Sequence, residues 1–437
     1  MSLYLTRKEE KNKVDNVVKS TRFISKLWTN PVYSLSSQLD LPYFDAVVCR
    51  SKLWTPTLNW HTLLMNTNIS HRLDLVCRSH FSALLVKKLI RFRSEPNIKR
   101  TLKHTSAVVS ESDFVGFKNS SVKCFSTLEE HNQNCVNSVV FHPSAPYMAT
   151  GGDDGTVKLW LLNTDCSVKT CVSTLKGHGS GVHSIAFHPS APYMATGSFD
   201  GTAKLWLLNE DYTTAICVST LEGHRNCVNS VAFHPSSGIL ATGSWDNTVR
   251  LWRMNADYSS VICVSTLLEH SNCVNAVAFH PSGEILATCS FDKTVKLWLL
   301  NADDCQATCV LTLKGHNSFV TSVAFHPSSG ILATGSFDKT AKLWQLNSDF
   351  SAATCVSTLE GHTNEVSSVA FHSSAPYLAT GSGDSTAKLW LLNADCCSAT
   401  CVSTLKEHRF CVWSVAFHPS RVILATGSAD NTAKLWC

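Results

Sequence analysis

A unit of about 46 residues is repeated seven times, and this repetition constrains the fold more than any other feature of the chain. The unit has the general form LKGHxxxVxSVAFHPSxxxLATGSFDxTxKLW. Its first histidine recurs at one spacing of 47 residues and then five of 46, at His131, His178, His224, His270, His316, His362 and His408. A period of about 20–50 residues is typical of solenoids and propellers, so the chain is expected to be built from one supersecondary unit used seven times.

Each unit contains four strand signals. SVAFH alternates between apolar and polar residues, ILATGS is a short apolar run, and TAKLW follows a tight DG, DN, DK or DS turn that suits a hairpin. CVSTL, before the next histidine, is the fourth. A single four-stranded sheet cannot bury both faces, whereas seven sheets stacked radially bury them against each other. The sequence therefore predicts an all-β, seven-bladed β-propeller of four-stranded antiparallel blades.

These units resemble WD repeats, and the resemblance covers residues 124–437. In that family a His, a Ser or Thr, an Asp and a Trp of each repeat form a hydrogen-bonded tetrad. The resemblance implies seven complete tetrads, which are His131, Thr150, Asp154 and Trp160; His178, Thr196, Asp200 and Trp206; His224, Thr242, Asp246 and Trp252; His270, Thr288, Asp292 and Trp298; His316, Thr334, Asp338 and Trp344; His362, Thr380, Asp384 and Trp390; and His408, Thr426, Asp430 and Trp436.

The tetrads are expected to be structural. A buried indole, hydroxyl, imidazole or carboxylate is costly alone, but chained together each group satisfies the next. His, Asp and Thr side by side also suggest a catalytic triad. Seven identical copies argue against that interpretation, because an enzyme needs one site. The chain also contains no phosphate-binding GxxxxGK[ST] loop, no GxSxG and no HExxH. We therefore expect no catalytic residues.

The ring needs a strand from elsewhere in the chain, because the last unit stops one residue after its third strand, at Cys437. Residues 123–128 (KCFSTL) match the fourth-strand motif and precede His131. They are expected to complete the last blade, which would remove an exposed sheet edge. The alternative is a truncated chain with an open ring. The predicted propeller domain is residues 123–437.

Partner-binding residues are expected where the repeats differ. In the WD-repeat family, variable contact positions on the top face are the residue before the tetrad Asp and those flanking the first valine of the inner strand. Carried over here, these positions include Phe199, Trp245, Phe291, Phe337, Phe319, Trp413, His183, Asn229 and Asn275. Aromatic side chains are favoured interface anchors, so blades two to five are expected to form an apolar groove for a peptide or loop. The alternative is that recent duplication copied one Phe several times without any role in binding.

Metal and cofactor sites are not expected. The cysteines at the CVSTL position recur once per repeat, so they indicate one structural position rather than a pairing scheme or a zinc site. The loops after the third strand carry one or two carboxylates each, without the dense oxygen spacing that Ca²⁺ needs. The start of the chain is too polar for a secretory signal, and no run of 18 apolar residues is present. We therefore expect reduced thiols, no transmembrane segment and an intracellular protein, cytoplasmic or nuclear.

The first 122 residues differ from the rest of the chain in charge. Residues 1–123 hold 20 Lys and Arg against 9 Asp and Glu, whereas residues 124–437 hold 17 against 24. Residues 1–93 are predicted to be a basic, partly helical region, with an amphipathic helix at residues 81–92, and residues 94–122 a linker. The basic residues are spread without interleaved aromatic motifs, so nucleic acid binding is not expected.

The predicted function is a non-catalytic scaffold that binds peptides or loops of partner proteins on the top face. Near Leu41, Pro42 and Val76 the sequence faintly resembles an F-box. That resemblance keeps open a more specialised alternative, the substrate-recognition subunit of a ubiquitin ligase. An enzyme on a propeller fold is the alternative of a different class. The identity of partners and the oligomeric state are left open by the sequence.

Overall fold

The computed structural model describes residues 122–163, 168–255, 258, 260–301 and 306–437. These residues form seven four-stranded antiparallel sheets, which are the blades of a propeller. The predicted fold class is therefore confirmed. The predicted region 1–93 and, except for residue 122, the predicted linker 94–122 lie outside the described residues, as do the amphipathic helix and the F-box-like segment.

Blades 1 to 3 follow the closing strand β1 (Cys124–Leu128) in the chain. Their strands are, for blade 1, β2 (Val136–Phe141), β3 (Tyr147–Gly152), β4 (Thr156–Leu162) and β5 (Val168–Lys176); for blade 2, β6 (Val182–Phe187), β7 (Tyr193–Ser198), β8 (Ala203–Leu208) and β9 (Ala215–Leu221); and for blade 3, β10 (Val228–Phe233), β11 (Ile239–Ser244), β12 (Val249–Met254) and β13 (Val261–Leu267).

Blades 4 to 7 repeat the same arrangement. Their strands are, for blade 4, β14 (Val274–Phe279), β15 (Ile285–Ser290), β16 (Thr294–Leu300) and β17 (Ala307–Lys314); for blade 5, β18 (Val320–Phe325), β19 (Ile331–Ser336), β20 (Ala341–Leu346) and β21 (Ala353–Leu359); for blade 6, β22 (Val366–Phe371), β23 (Tyr377–Ser382), β24 (Ala387–Leu392) and β25 (Ala399–Leu405); and for blade 7, β26 (Val412–Phe417), β27 (Leu424–Ser428) and β28 (Ala433–Trp436).

The second strand of each blade carries much of the core. In blades 3, 4 and 5 every residue of β11, β15 and β19 is buried. A strand covered on both faces is expected to be a continuous apolar run rather than an alternating one, and ILATGS fits that pattern. Backbones also approach closely between blades: a Cβ atom on Gly197 would lie 2.8 Å from the carbonyl oxygen of Val228 in the next blade. Glycine at this position therefore permits the tight stacking of blades 2 and 3.

The ring is closed at two levels. Each inner strand contacts the inner strand of the next blade, and β26 contacts β2 to complete the circuit. At the outer edge, β1 pairs antiparallel with β28, in the place expected for residues 123–128. The backbone N–H of Lys123 donates to the carbonyl of Cys437 at 3.0 Å, and that of Cys437 donates back at 3.2 Å. Blade 7 is thus built from both ends of the repeat region.

A serine links most neighbouring inner strands. Its hydroxyl accepts the backbone N–H of a residue 47 positions later, in the next blade, at about 3.0–3.2 Å. The serine of blade 7 accepts the N–H of Val139 in the same way, at 3.1 Å. The serines are Ser138, Ser184, Ser230, Ser322, Ser368 and Ser414. Blade 4 has Ala276 at this position, so the junction between blades 4 and 5 lacks this hydrogen bond.

Candidate functional site on the top face

All seven sets of tetrad residues are in hydrogen-bonding contact. The Trp indole N–H donates to the Thr hydroxyl at 2.9–3.0 Å. The Thr hydroxyl lies 2.6–2.7 Å from Nε2 of the His. Nδ1 of the same His lies 2.7–3.1 Å from an Asp carboxylate oxygen. Each blade thus carries an unbroken chain from its buried third strand to the turn at its surface.

The protons of the chain can be assigned from these contacts. The carboxylate can only accept, so the His donates from Nδ1, and a neutral His then accepts the Thr proton at Nε2. Burial lowers the pKa of His178 below its ordinary value, against the raising effect of Asp200, which favours this neutral form. Burial alone would raise the pKa of Asp200. Hydrogen bonds from Thr202, His178 and backbone N–H groups outweigh this effect and lower the pKa to about 2. The tetrad of blade 2 is therefore a neutral imidazole held by an ionised carboxylate.

The Asp also fixes the loop that carries the His. In blade 3, Asp246 accepts His224 Nδ1 at 2.8 Å and the backbone N–H of Arg225 at 3.0 Å through one oxygen. Its other oxygen accepts the backbone N–H and the hydroxyl of Thr248, at 3.0 and 2.7 Å. Ser244 braces the turn, because its hydroxyl donates to the carbonyl of Asn226 at 3.1 Å. These loops and turns lie at the same end of every blade, and we call that end of the ring the top face.

Blade 1 departs from this arrangement. One oxygen of Asp154 accepts His131 at 3.1 Å and both groups of Thr156, while its Oδ2 is buried and has no hydrogen-bond partner among the described residues. The loop after His131 holds one extra residue, and Asn132 and Gln133 both adopt positive φ. Gly152 replaces the bracing serine, and a Cβ there would lie 2.5 Å from His131 Nδ1. The insertion, the glycine and the unpartnered oxygen are parts of one local rearrangement.

A bulge in each inner strand positions the second class of predicted contact residues. In blade 3 the register passes from Val228 to Ser230, so Asn229 has no partner across the sheet. Bulges re-aim side chains, and here the Asn229 amide donates to the carbonyl of Asn275 in the next blade at 2.9 Å. Asn275 donates likewise to Val320 at 3.0 Å and is buried. Because both amides are used between blades, we leave Asn229 and Asn275 out of the binding surface proposed below.

The predicted aromatic residues of blades 2 to 5 form one continuous strip. We define the aromatic arc as Phe199, Trp245, Phe291, Phe319 and Phe337. Neighbouring ring centroids lie 5.4 Å apart for Phe199 and Trp245, 6.5 Å for Trp245 and Phe291, and 6.1 Å for Phe291 and Phe337. Phe319 stacks on Phe291 at 4.5 Å. The rings pack mostly edge to face, an arrangement that aromatic pairs favour.

The arc is only partly exposed. Phe337 is 40% exposed, while the other four rings are half-buried against their neighbours. His183 adjoins the arc at one end, with its ring centroid 3.7 Å from that of Phe199. The buried indole N–H of Trp245 has no acceptor among the described residues. The arc is therefore a pre-packed apolar surface crossing four blades, with one unused donor near its middle.

Trp413 is placed apart from the arc, on blade 7. It is 37% exposed, and no ring contact joins it to the arc within the described part of the chain. Phe410, in the loop before it, is 61% exposed. Phe410 was not anticipated from the sequence, although it stands at a position where the loops of blades 2 to 6 have Ser or Asn. Blade 7 thus carries a separate aromatic pair rather than an extension of the arc.

Two further observations bear on the kind of site. Within the described ranges, no three His, Cys, Asp or Glu side chains are grouped closely enough to hold a metal ion. Nor do these ranges contain a helix with the length and hydropathy needed to cross a membrane. The cysteines of the described residues are free thiols.

Comparison with known proteins agrees with the geometry. A family model described as "WD domain, G-beta repeat" matches residues 122–160, 169–206, 215–253, 261–298, 307–345, 353–390 and 399–437. Each matched segment ends at the tetrad Trp or one residue after it, and together the segments span more than half of the chain. No curated protein matches the chain.

Proposed function

The chain belongs to the WD-repeat family, and on that premise we propose that it is a non-catalytic scaffold that holds an extended segment of a partner protein against the aromatic arc. Propellers of this family are generally scaffolds for protein interactions, and the fold alone does not name the partner. The observation that carries the proposal is the unbroken run of ring contacts from Phe199 to Phe337.

The uniform parts of the molecule support the same conclusion. The His and Asp side chains that resemble catalytic groups are hydrogen-bonded within the tetrads. Of the tetrad polar atoms named above, Asp154 Oδ2 alone lacks a partner in the described residues. The arc, in contrast, offers apolar rings at the surface with no element of the described chain covering them. Aromatic rings bury a large area at low entropic cost, so they are suited to anchor a partner.

The test is a differential capture experiment with the full chain. The double variant Phe199→Ala with Phe291→Ala removes two arc rings that are half-buried at the surface. The matched control is Ile216→Ala with Ile262→Ala, which removes two exposed apolar side chains, 64% and 58% accessible, from the outer strands of blades 2 and 3. Partners identified by mass spectrometry should be lost from the arc variant and kept by the control.

The proposal is contradicted when a correctly folded arc variant, with an unchanged melting temperature, retains every partner of the unmodified chain. Ubiquitin ligase subunits that the arc variant keeps, while other partners are lost, would identify the scaffold as a substrate receptor, because the F-box-like segment is separate from the arc. Turnover of a captured partner by the purified chain would instead favour the enzyme alternative.

A further inference from the structure

Three exposed cations stand beside the arc. Lys293 follows Phe291 by two residues and Lys339 follows Phe337 by two, each in the tight turn that carries the ring. Arg225 donates its backbone N–H to Asp246, the residue after Trp245, at 3.0 Å. Blades 3, 4 and 5 therefore each have one cation close in the fold to an arc ring, namely to Trp245, Phe291 and Phe337.

These cations have no ionic partner within the part of the chain that the structure describes. Lys293 and Lys339 directly follow the tetrad carboxylates Asp292 and Asp338, whose oxygens are already used. Asp292, for example, accepts His270 at 2.7 Å and the Thr294 hydroxyl at 2.6 Å. Arg225 lies three residues after Glu222, and no ion pair joins these two in the described residues. The charges of Arg225, Lys293 and Lys339 are thus left for a group from outside.

The two lysines also occupy an unfavourable backbone position. Lys293 and Lys339 have φ of 70° and 71°, in the left-handed region that side chains with a Cβ adopt rarely. Blade 2 has Gly201 at the same point, where φ is 80° without steric cost. The turn does not need lysine for its shape, so the lysines contribute charge at the expense of local strain.

Carboxylates lie at both ends of the arc. At the blade 1 end, Asp153 Oδ1 is 4.0 Å from His183 Nε2, and a Cβ on Gly181 would touch both Asp153 and Phe199. At the blade 6 end, Glu365 occupies the position at which Phe319 stands in blade 5. The top face therefore has cations along the middle of the arc and anions beyond each end. This pattern suits a short anionic segment and repels a long polyanion.

The rings indicate a peptide rather than a nucleic acid. Bases bind to proteins by stacking on free aromatic faces along a basic track. Here Phe291 and Phe319 already stack on each other, and the remaining contacts are edge-to-face or tilted. The three spacings along the arc, 5.4, 6.5 and 6.1 Å, match an extended peptide of roughly six residues at ~3.3 Å per residue.

We propose that the partner segment is an extended acidic peptide of about six residues, with apolar side chains on the aromatic arc and its carboxylates facing Arg225, Lys293 and Lys339. This inference rests on the proposed function, since it names the chemistry of the segment that the arc holds. The three cations select acidic segments and fix their position along the arc, because opposite charges steer association and like charges disfavour wrong partners.

The first experiment selects peptides from a random ten-residue phage library on the immobilised full chain. Selected peptides should be enriched in Asp and Glu together with Phe, Leu or Trp. An absence of enrichment over the starting library, or enrichment in Lys and Arg, overturns the inference. The inference is also overturned when a 12-nucleotide oligouridine displaces the selected peptides at a lower concentration than the free peptide requires for the same displacement.

The second experiment measures the affinity of one selected, fluorescein-labelled peptide by anisotropy. The triple variant Arg225→Glu, Lys293→Glu, Lys339→Glu should bind it at least tenfold more weakly than the unmodified chain. The control, Arg409→Glu, Ser385→Glu, Asn431→Glu, introduces three glutamates at the equivalent backbone positions of blades 6 and 7, and it changes the net charge by −4 where the triple changes it by −6. The control should change the affinity by less than twofold.

The two proposals fail in different ways. Loss of binding in the Phe199→Ala, Phe291→Ala variant, with no effect of the charge triple, overturns the acidic peptide and leaves the scaffold proposal standing. Undiminished binding in a folded arc variant overturns the proposed function itself. Equal losses in the charge triple and its control show an effect of net charge, which also contradicts the inference.

Discussion

Phe199 and Asp200 are neighbours in the sequence, yet they belong to regions that follow opposite rules. Asp200 is part of a tetrad whose residues are the same in all seven blades, and its carboxylate bonds to His178 at 2.8 Å. Phe199 is part of the rim, where the equivalent residues are Asp153, Trp245, Phe291, Phe337, Gly383 and Ala429. Stability is therefore expected to reside in the tetrads and selectivity in the rim, one residue apart.

This separation has a physical basis. A change in a tetrad leaves buried polar groups without partners, whichever blade it affects. A change at the rim alters a half-exposed side chain on a turn that the Asp already holds, so the backbone tolerates Asp, Phe, Trp, Gly or Ala there. The following predictions test how complete the separation is.

Acidification is expected to have the largest effect, because it acts on many blades together. Burial lowers the pKa of His178 and His362, so below about pH 6.5 the unfolded chain takes up protons that the folded chain does not. The pKa of Asp200 is about 2 in the folded chain, so its contribution is lost between about pH 4 and pH 2. Thermal melts followed by circular dichroism should show a steady decrease in stability from pH 7 to pH 3. A stability maximum near pH 4 would contradict this.

Breaking one tetrad should cost about 3 kcal/mol. Thr242→Val keeps the side-chain shape but removes the hydroxyl that lies 2.9 Å from Trp252 Nε1 and 2.7 Å from His224 Nε2. Two buried groups then lack partners, at about 1–3 kcal/mol each. The control is Thr220→Val, an exposed outer-strand hydroxyl that accepts Lys204. Urea unfolding at pH 7 measures the free energy of unfolding of both variants. Equal decreases in the two variants would show that the tetrad does not stabilise the fold. The peptide affinity per folded molecule should not change in either variant.

Because the tetrad of blade 1 differs from the others, we predict that the tetrad aspartates do not contribute equally to the free energy of unfolding. Asp246→Asn replaces a carboxylate whose two oxygens each accept two hydrogen bonds, so the new amide must face a donor. Asp154→Asn can place its amide at the position of Oδ2, which faces no donor. We expect the blade 3 variant to lose about 1–2 kcal/mol more than the blade 1 variant in the same urea experiment. The reverse order would show that the unpartnered oxygen is strongly bonded in solution.

The smallest expected effect comes from restoring a repeat residue that blade 4 lacks. Ala276→Ser supplies the hydroxyl that links inner strands at the other junctions and should raise the free energy of unfolding by about 0.5–1 kcal/mol. Ser230→Ala, which removes the bond to the Val277 N–H at 3.1 Å, is the reciprocal control and should lower it by a similar amount. Destabilisation by both changes would mean that the junction between blades 4 and 5 is packed differently. Neither change touches the arc, so peptide affinity should stay the same.

The sequence predicts the repeated parts of the structure well, because repetition makes each position readable seven times. The blades follow from the spacing of the histidines and the strand motifs. The contacts between blades could not be derived in the same way. They join residues 45 to 47 positions apart, such as Asn275 to Val320, and depend on how a bulge aims a side chain. A sequence pattern shows which residues recur, but not which atoms meet across a junction.

The rim shows the same limit. The aromatic positions of blades 2 to 5 were identified from the sequence, but their packing into one strip and the placement of Trp413 outside it required coordinates. The sequence pattern does not single out the three cations, because the lysines are part of the DK form of the tight turn and Arg225 directly follows a tetrad His. Their position directly after an invariant His or Asp is the signal that could have identified them.

The pairing of β1 with β28 has a consequence in time rather than in space. Lys434 Nζ reaches the Thr127 hydroxyl across 307 positions of sequence, so β1 leaves the ribosome long before its partner exists. At about 5–20 residues per second, synthesis of the intervening chain takes roughly 15–60 s. During that interval β1 has no partner strand, and blade 7 stays incomplete although the strands of blades 1 to 6 have been synthesised. Until β28 emerges, β1 is therefore an open strand that can pair with the wrong sheet edge.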